Sequence, residues 1–121
     1  MAEATKSASG TTAVVAATQA LAQNAAEAAE SVELFRHGTL QVKVYAPRGV
    51  DDQTPHKRDE AYVVLRGEGE FVSDAGRKRF GKGDFIFAAA GVPHRFENFS
   101  DDFAVWVFFY GPEGGENELN G

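Results

Sequence analysis

From residue 39 onward the chain alternates short apolar stretches with glycine-rich breaks; before residue 31 it does neither. Leu40, Val42 and Val44 alternate with Gln41, Lys43 and Tyr45, the period of two that marks a half-buried strand. Residues 60–66 read as a second strand, and Gly67 and Gly69 interrupt it before a third at 70–73. The turn Asp74-Ala75-Gly76 leads into 77–80, and Gly81-Lys82-Gly83-Asp84 leads into 85–87. Gly91-Val92-Pro93 precedes 94–99, and Ser100-Asp101-Asp102 precedes 103–110. Short strands punctuated at this pace predict an all-β sandwich or barrel, not alternating strand–helix units.

The run Phe103-Ala104-Val105-Trp106-Val107-Phe108-Phe109-Tyr110 has no polar alternation, so both of its faces are expected to be covered. One face lines the interior. The other needs a second subunit or the N-terminal helix, and a homodimer through this run is the expected assembly. Upstream, residues 12–30 are dominated by Ala, Gln, Glu and Leu and are helical by propensity. Val14, Leu21 and Val32 give that stretch a thin apolar stripe. Such a helix is marginal alone in water, so it docks on the domain or on a partner, or it frays. Residues 1–10 are expected to be disordered, and the glycine-rich 111–116 to be a mobile end.

Composition changes this picture little. A chain of 121 residues suits one domain with a core of useful size. The formal net charge of −6 is uneven: −2 over residues 1–30, −3 over 111–121 and −1 over the middle. A nearly neutral middle lacks the basic face a nucleic-acid partner needs. Its one basic cluster, Arg77-Lys78-Arg79, adjoins a turn signal and reads as a solvated hairpin arm. Cysteine is absent, which removes disulfides and thiolate ligands and fits a reducing compartment. No apolar stretch approaches the ~20 residues of a membrane span, and no secretory leader is apparent. A cytoplasmic protein with no membrane and no nucleic-acid partner is the expectation.

The chemistry lies in His56, Glu60 and His94. Pro55 disfavours helix before His56, and Tyr62-Val63-Val64 favours strand after Glu60. In a straight strand, positions four apart lie roughly 13 Å from each other at ~3.3 Å per residue, too far to share an ion. Lys57-Arg58-Asp59 must therefore turn tightly and fold His56 back toward Glu60. Gly91 and Pro93 set a sharp turn before His94. Two imidazoles and a carboxylate hold a divalent transition metal with coordination positions left open.

These two stretches resemble the paired motifs of the cupin superfamily, G-x5-H-x-H-x3,4-E-x6-G and G-x5-P-x-G-x2-H-x3-N. The second is matched by Gly83, Gly91, His94 and Asn98, with Ala89 where proline is usual. In the first, His56, Glu60 and Gly67 match, Thr54 replaces the first histidine, and Gly49 lies one residue too near. The resemblance covers about residues 36–111. It implies a double-stranded β-helix, the jelly-roll or cupin barrel, over 31–112. An Ala-rich, helical or partly disordered extension precedes it at 1–30, and a flexible acidic tail follows at 113–121.

By the same resemblance His56, Glu60 and His94 are metal ligands, with Gln53 a candidate fourth and the ion one of Fe, Mn, Zn or Ni. Tyr45, Thr54, Tyr62, Phe96, Trp106 and Phe108 are candidates to line the pocket. Asn98 is expected to be a structural hydrogen-bonder. Arg58 and Arg95 adjoin ligands, so strand alternation aims them away. The implied function is a metal-dependent enzyme acting on a small organic molecule, most simply by dioxygenase-like oxidation. The alternatives are a non-catalytic ligand-binding or sensing module with a degenerate site, and a sugar or sugar-phosphate isomerase. The isomerase needs a basic pocket, and no inward basic cluster is evident in the sequence.

Overall fold

The computed structural model describes residues 12–27, 29–51 and 53–116. The stretch expected to be disordered, 1–10, and the last five residues of the acidic tail lie outside the described residues. One helix, α1 (Ala17–Ala26), precedes the strands β1 (Ser31–His37), β2 (Leu40–Tyr45), β3 (Asp59–Arg66) and β4 (Gly69–Ser73). Four more follow: β5 (Gly76–Phe80), β6 (Phe85–Ala88), β7 (His94–Glu97) and β8 (Ala104–Tyr110). They form a five-stranded sheet in the order β1-β2-β8-β3-β6 and a three-stranded sheet in the order β5-β4-β7. The pairings are antiparallel. This is the all-β architecture the turn spacing predicts, with one strand, β1, that the pattern did not reveal.

The core between the sheets is aromatic. Tyr62, Phe80, Phe96 and Phe103 are buried there with Val64, Val105 and Val107, and Phe96 makes edge contacts with Tyr62 and Phe80 at centroid distances of 5.1 and 5.6 Å. Register fixes which residues of the larger sheet face this interior. Gln41, Phe109, Glu60 and Ala88 form one row across β2, β8, β3 and β6; Lys43, Val107, Tyr62 and Ile86 form the next. The polar positions of β2 thus face the barrel, and its valines face outward.

Outward, Val44 needs a cover, and α1 supplies it. Ala20 is buried with Val32, Leu34 and Val44, and Val15, Leu21, Leu65 and Trp106 pack around them. The expected stripe is therefore shifted. Val14 precedes the helix and is exposed, while Val32 belongs to β1, where it pairs with Val44. The helix is shorter than residues 12–30, opening after Ala16 without a side-chain cap. Among the described residues no helix is long and apolar enough to cross a membrane.

Residues 111–116 carry no strand or helix but are fastened to the barrel. The Gly114 N–H donates to the Lys57 carbonyl at 2.7 Å, and the Glu116 N–H to Asp59 Oδ2 at 2.8 Å. Gly67 lies where the chain leaves β3 for the other sheet, with φ of +87°. A Cβ there would fall 2.6 Å from Ser100 Oγ and 2.7 Å from Phe103 Cα, whereas one on Gly76, also at positive φ, meets nothing within 4 Å. Gly67→Ala is expected to cost about 3 kcal/mol from backbone strain plus steric overlap, and Gly76→Ala only about 1 kcal/mol. Urea denaturation of the two variants measures the difference; equal losses would contradict the close packing at Gly67.

Candidate metal centre

The turn at 57–58 does what the spacing requires. His56 Nδ1 comes to 3.3 Å from Glu60 Oε2 although the two residues are four apart and β3 begins at Asp59. Two hydrogen bonds fasten this turn to the one that precedes His94: the Gly91 N–H donates to the His56 carbonyl at 2.8 Å, and the Ala90 N–H to Asp59 Oδ1 at 2.9 Å. Gly91 adopts φ of +79°, a conformation that glycine reaches without strain. His94 then enters from β7 in the smaller sheet, opposite Glu60 in the larger one.

The donor atoms converge. His94 Nε2 is 2.6 Å from Glu60 Oε1, and one donor atom from each of His56, Glu60 and His94 lies within 4.8 Å of the others. His94 Nδ1 donates to the Val92 carbonyl at 2.8 Å, which leaves Nε2 to face the centre. Tyr62 OH donates to Glu60 Oε1 at 2.5 Å and lies 3.0 Å from His94 Nε2. The His56 ring is steadied edge-on against Phe109, with centroids 4.9 Å apart.

Two atoms of this cluster have no hydrogen-bond partner: His56 Nδ1 and Glu60 Oε2, both buried. The two atoms lie 3.3 Å apart without a hydrogen bond; a buried polar group left so costs about 1–3 kcal/mol, and a cation between them would satisfy both. Two ligands bonded at ~2.1 Å and roughly at right angles to each other would lie about 3 Å apart, close to the spacing found. The residues present therefore fit a divalent ion, held by His56, Glu60 and His94.

The side chains around the centre divide by strand parity. A cavity of about 190 Å³ at the centre is lined by Tyr45, Gln53, Tyr62 and Phe109, among others. Two of the six candidates, Tyr45 and Tyr62, line this cavity. The other four do not. Thr54 is exposed, and Phe96 is buried in the aromatic core beneath the cavity. Trp106 and Phe108 lie on the outer face, along a separate groove with Val15, Phe35 and Val42. On β8 the inward residues are Val107 and Phe109, one position out of phase with the expectation, because an unbroken apolar run carries no phase. Gln53 lines the cavity, and its Nε2 donates to Asp51 Oδ2 at 2.7 Å.

Asp51 and Asp59, both buried, escaped the sequence reading. Asp51 accepts hydrogen bonds from Tyr45 OH at 2.5 Å and from the Phe96 N–H at 2.8 Å, tying the loop before His56 to β7. Lys43 was missed as well, though its parity with Tyr45 on β2 was a usable signal. A second cavity of about 270 Å³ is lined by Gln41, Lys43, His56, Lys57, Arg58 and Phe109. Lys43, Lys57 and Arg58 thus border one open depression beside the centre, a grouping the sequence did not reveal, and Arg58 is half-buried rather than fully solvated. Its Nε donates to the Gly111 carbonyl at 3.2 Å, and its Nη2 is buried without a hydrogen-bond partner. Arg95 does face away and pairs with Glu97. In the basic cluster Arg77 pairs with Glu70 and Glu97. Asn98, at φ of +52°, donates to Glu70 Oε1 at 2.7 Å and is structural.

A barrel of two antiparallel sheets enclosing a His–Glu–His cluster defines a cupin. Residues 41–110 match the family described as Cupin domain, and the chain belongs to that family. An uncharacterised protein of Streptomyces coelicolor is 31% identical over 94 residues, 76% of this chain and 90% of the relative. Among solved structures, the DMSP lyase DddQ of Ruegeria pomeroyi DSS-3 superposes with a TM-score of 0.58 at 28% identity. That match covers 67% of this chain and only 46% of the lyase chain, so this chain spans less than half of that relative. A Cupin 2 conserved barrel domain protein from Salinispora arenicola shares the fold, with a TM-score of 0.57 at 22% identity over 67% of this chain and 74% of that one.

Protonation reflects the same geometry. Burial lowers the pKa of His94, but its hydrogen bonds to Glu60 and to the Val92 carbonyl, with the charges of Glu60 and Asp51, outweigh burial and raise it above the ordinary 6.5. Burial, reinforced by the Glu60 carboxylate, raises Tyr62 well above 10.0, so it stays a phenol and a hydrogen-bond donor. A raised histidine stabilises the fold fully below its unfolded value and loses that contribution as pH rises through its folded value. Metal-free protein is thus expected to lose urea resistance as pH rises beyond about 6.5, and Glu60→Gln to flatten the curve. Denaturation midpoints in chelator across this range check it; a midpoint that rises with pH contradicts the pairing.

Proposed function

We propose that this cupin is a metal-dependent enzyme that converts a small organic molecule at the His56–Glu60–His94 centre. The observation that carries the reading is the pair of buried, unpartnered atoms, His56 Nδ1 and Glu60 Oε2, turned toward each other beside His94. Gln53, on the same cavity wall, is the remaining candidate for an added oxygen ligand. A divalent ion held by these residues supplies Lewis acidity, and iron in a 2-His-1-carboxylate set also supplies reactivity toward O₂. The chain's own residues do the rest. Phe109 and Val107 keep bulk water from one wall, Glu60 is oriented by Tyr62, and the Tyr62 phenol offers a proton at fixed position.

Dioxygenase-like oxidation is the leading reaction. A lyase reaction is the second, favoured by the protonated Tyr62 at the centre and by the likeness to a protein named a DMSP lyase. A cytoplasmic location is part of the proposal. So is a homodimer, for which the outer groove of Phe35, Val42, Trp106 and Phe108 offers apolar surface; sedimentation as a monomer at micromolar concentration would remove it.

Elemental analysis of protein purified without an affinity tag is expected to give close to one first-row metal per chain. His56→Ala, Glu60→Ala and His94→Ala are expected to lose at least tenfold in metal affinity while remaining folded. Oxygen uptake by the iron-loaded protein across a panel of small organic acids and alcohols separates oxidation from oxygen-independent cleavage. Saturable ligand binding with no turnover in either assay would leave a binding module. No metal in the parent after incubation with Fe, Mn, Zn and Ni would overturn the reading.

A further inference from the structure

The two cavities share Lys43, His56 and Phe109, so the centre adjoins an open-sided chamber bordered by three cations. Among the described lining residues, Lys43, Lys57 and Arg58 stand there against one acid, Glu60, whose charge a bound divalent ion would more than offset. Lys57 is exposed and solvated, and it decides nothing. Lys43 and Arg58 are half-buried, and neither makes an ion pair among the described residues. The carboxylate across from Lys43 in the β1–β2 register is Glu33. It is engaged by Arg36 at 2.6 Å and by Gln41 at 2.5 Å. The guanidinium of Arg58 offers several N–H donors, yet its buried Nη2 has no acceptor. Lys43 makes no ion pair and Arg58 Nη2 has no acceptor, so an anion entering here would meet positive charge and donors that the described residues leave unpaired.

We propose that the chamber binds the anionic group of a small organic substrate, a carboxylate or a phosphate. Lys43 is its anchor and Arg58 reinforces the positive potential. Lys43 is two strands from Tyr62 on one inward row, about 10 Å by backbone spacing. A flexible lysine stem shortens that reach, so a molecule of a few carbons can touch the centre at one end and the ammonium at the other. This substrate class rests on the enzymatic reading above, but the charge argument is independent of it. Because the Arg58 side chain also holds the Gly111 carbonyl, Lys43 is the residue to vary.

Isothermal titration with malonate, malonamide and methyl phosphate, on metal-free and Co²⁺-loaded protein, tests the inference in the parent, Lys43→Met and Lys43→Arg. The parent is expected to bind malonate or methyl phosphate about tenfold or more tightly than malonamide, since a charge-assisted hydrogen bond is lost with the neutral amide. The preferred anion identifies the group. Lys43→Met is expected to weaken that binding by about tenfold or more, and Lys43→Arg by only a few fold. Co²⁺ stoichiometry is expected to be unchanged in both variants. If no Co²⁺ binds even the parent, the metal reading fails while the metal-free titrations still decide the anion site. Anion binding that is absent from the parent, or equal in Lys43→Met, overturns the inference.

Discussion

A carboxylate sealed inside an apolar barrel must be compensated, and Glu60 is such a carboxylate at 1% exposure. Taking an ionised carboxyl out of water is among the most costly steps folding can include. One oxygen of Glu60 is served by Tyr62 and His94, while the other faces His56 without a hydrogen bond. The turn at 57–58, the left-handed Gly91 and the docking of β7 opposite β3 all bring positive or polarisable groups to that oxygen pair. A barrel built only for stability would be better served by an apolar residue here, since replacing buried charges with apolar groups of similar volume is often neutral or stabilising.

Three acids are buried near the centre, and their partners separate scaffold from chemistry. Asp59 spends its two oxygens on the backbone N–H groups of Ala90 and Glu116. Asp51 accepts from Phe96 N–H, Tyr45 and Gln53. Both are filled by donors within the fold, and both fasten segments that carry the clustered histidines: Asp59 the turns around His56 and His94, Asp51 the approach to His56 and the strand that begins at His94. Glu60 alone of the three keeps an unfilled oxygen. Saturated acids therefore hold the frame rigid around the unsaturated one, the support a preorganised site needs.

The sequence disclosed β2 to β8, the turns and the clustering of His56, Glu60 and His94 because each rests on a local rule. Glycines and Asp-Gly-type turns punctuate strands, proline restricts its neighbour, and a four-residue separation cannot chelate without a turn. What it concealed depended on phase and long-range pairing. Trp106 and Phe108 seemed as eligible for the pocket as Val107 and Phe109, because only the register against β2 and β3 says which pair faces inward. Asp51 and Asp59 are chemically ordinary in the linear chain; their importance lies in backbone N–H groups 45 and 31 residues away. β1 was hidden in a composition that otherwise reads as helix margin, with a bulge between Glu33 and Phe35 that breaks its period.

The inversion of β2 connects the extension to the site. An amphipathic strand ordinarily turns its apolar face to the core, but here Gln41, Lys43 and Tyr45 face the barrel and line its cavities. That arrangement leaves Val42 and Val44 outside, where water would penalise them at roughly 25 cal/mol per Å² of exposed apolar surface. Helix α1, with Ala20 fully buried against Val32, Leu34 and Val44, covers Val44, while Val42 lies along the outer groove with Val15 and Phe35. The alanine-rich composition suits the task, since small side chains let a helix lie close on a sheet. The extension is thus the condition under which a strand of the larger sheet can present polar and cationic groups to the interior. Polar side chains lining the cavities and an N-terminal helix packed on the opposite face are two consequences of one choice of strand phase.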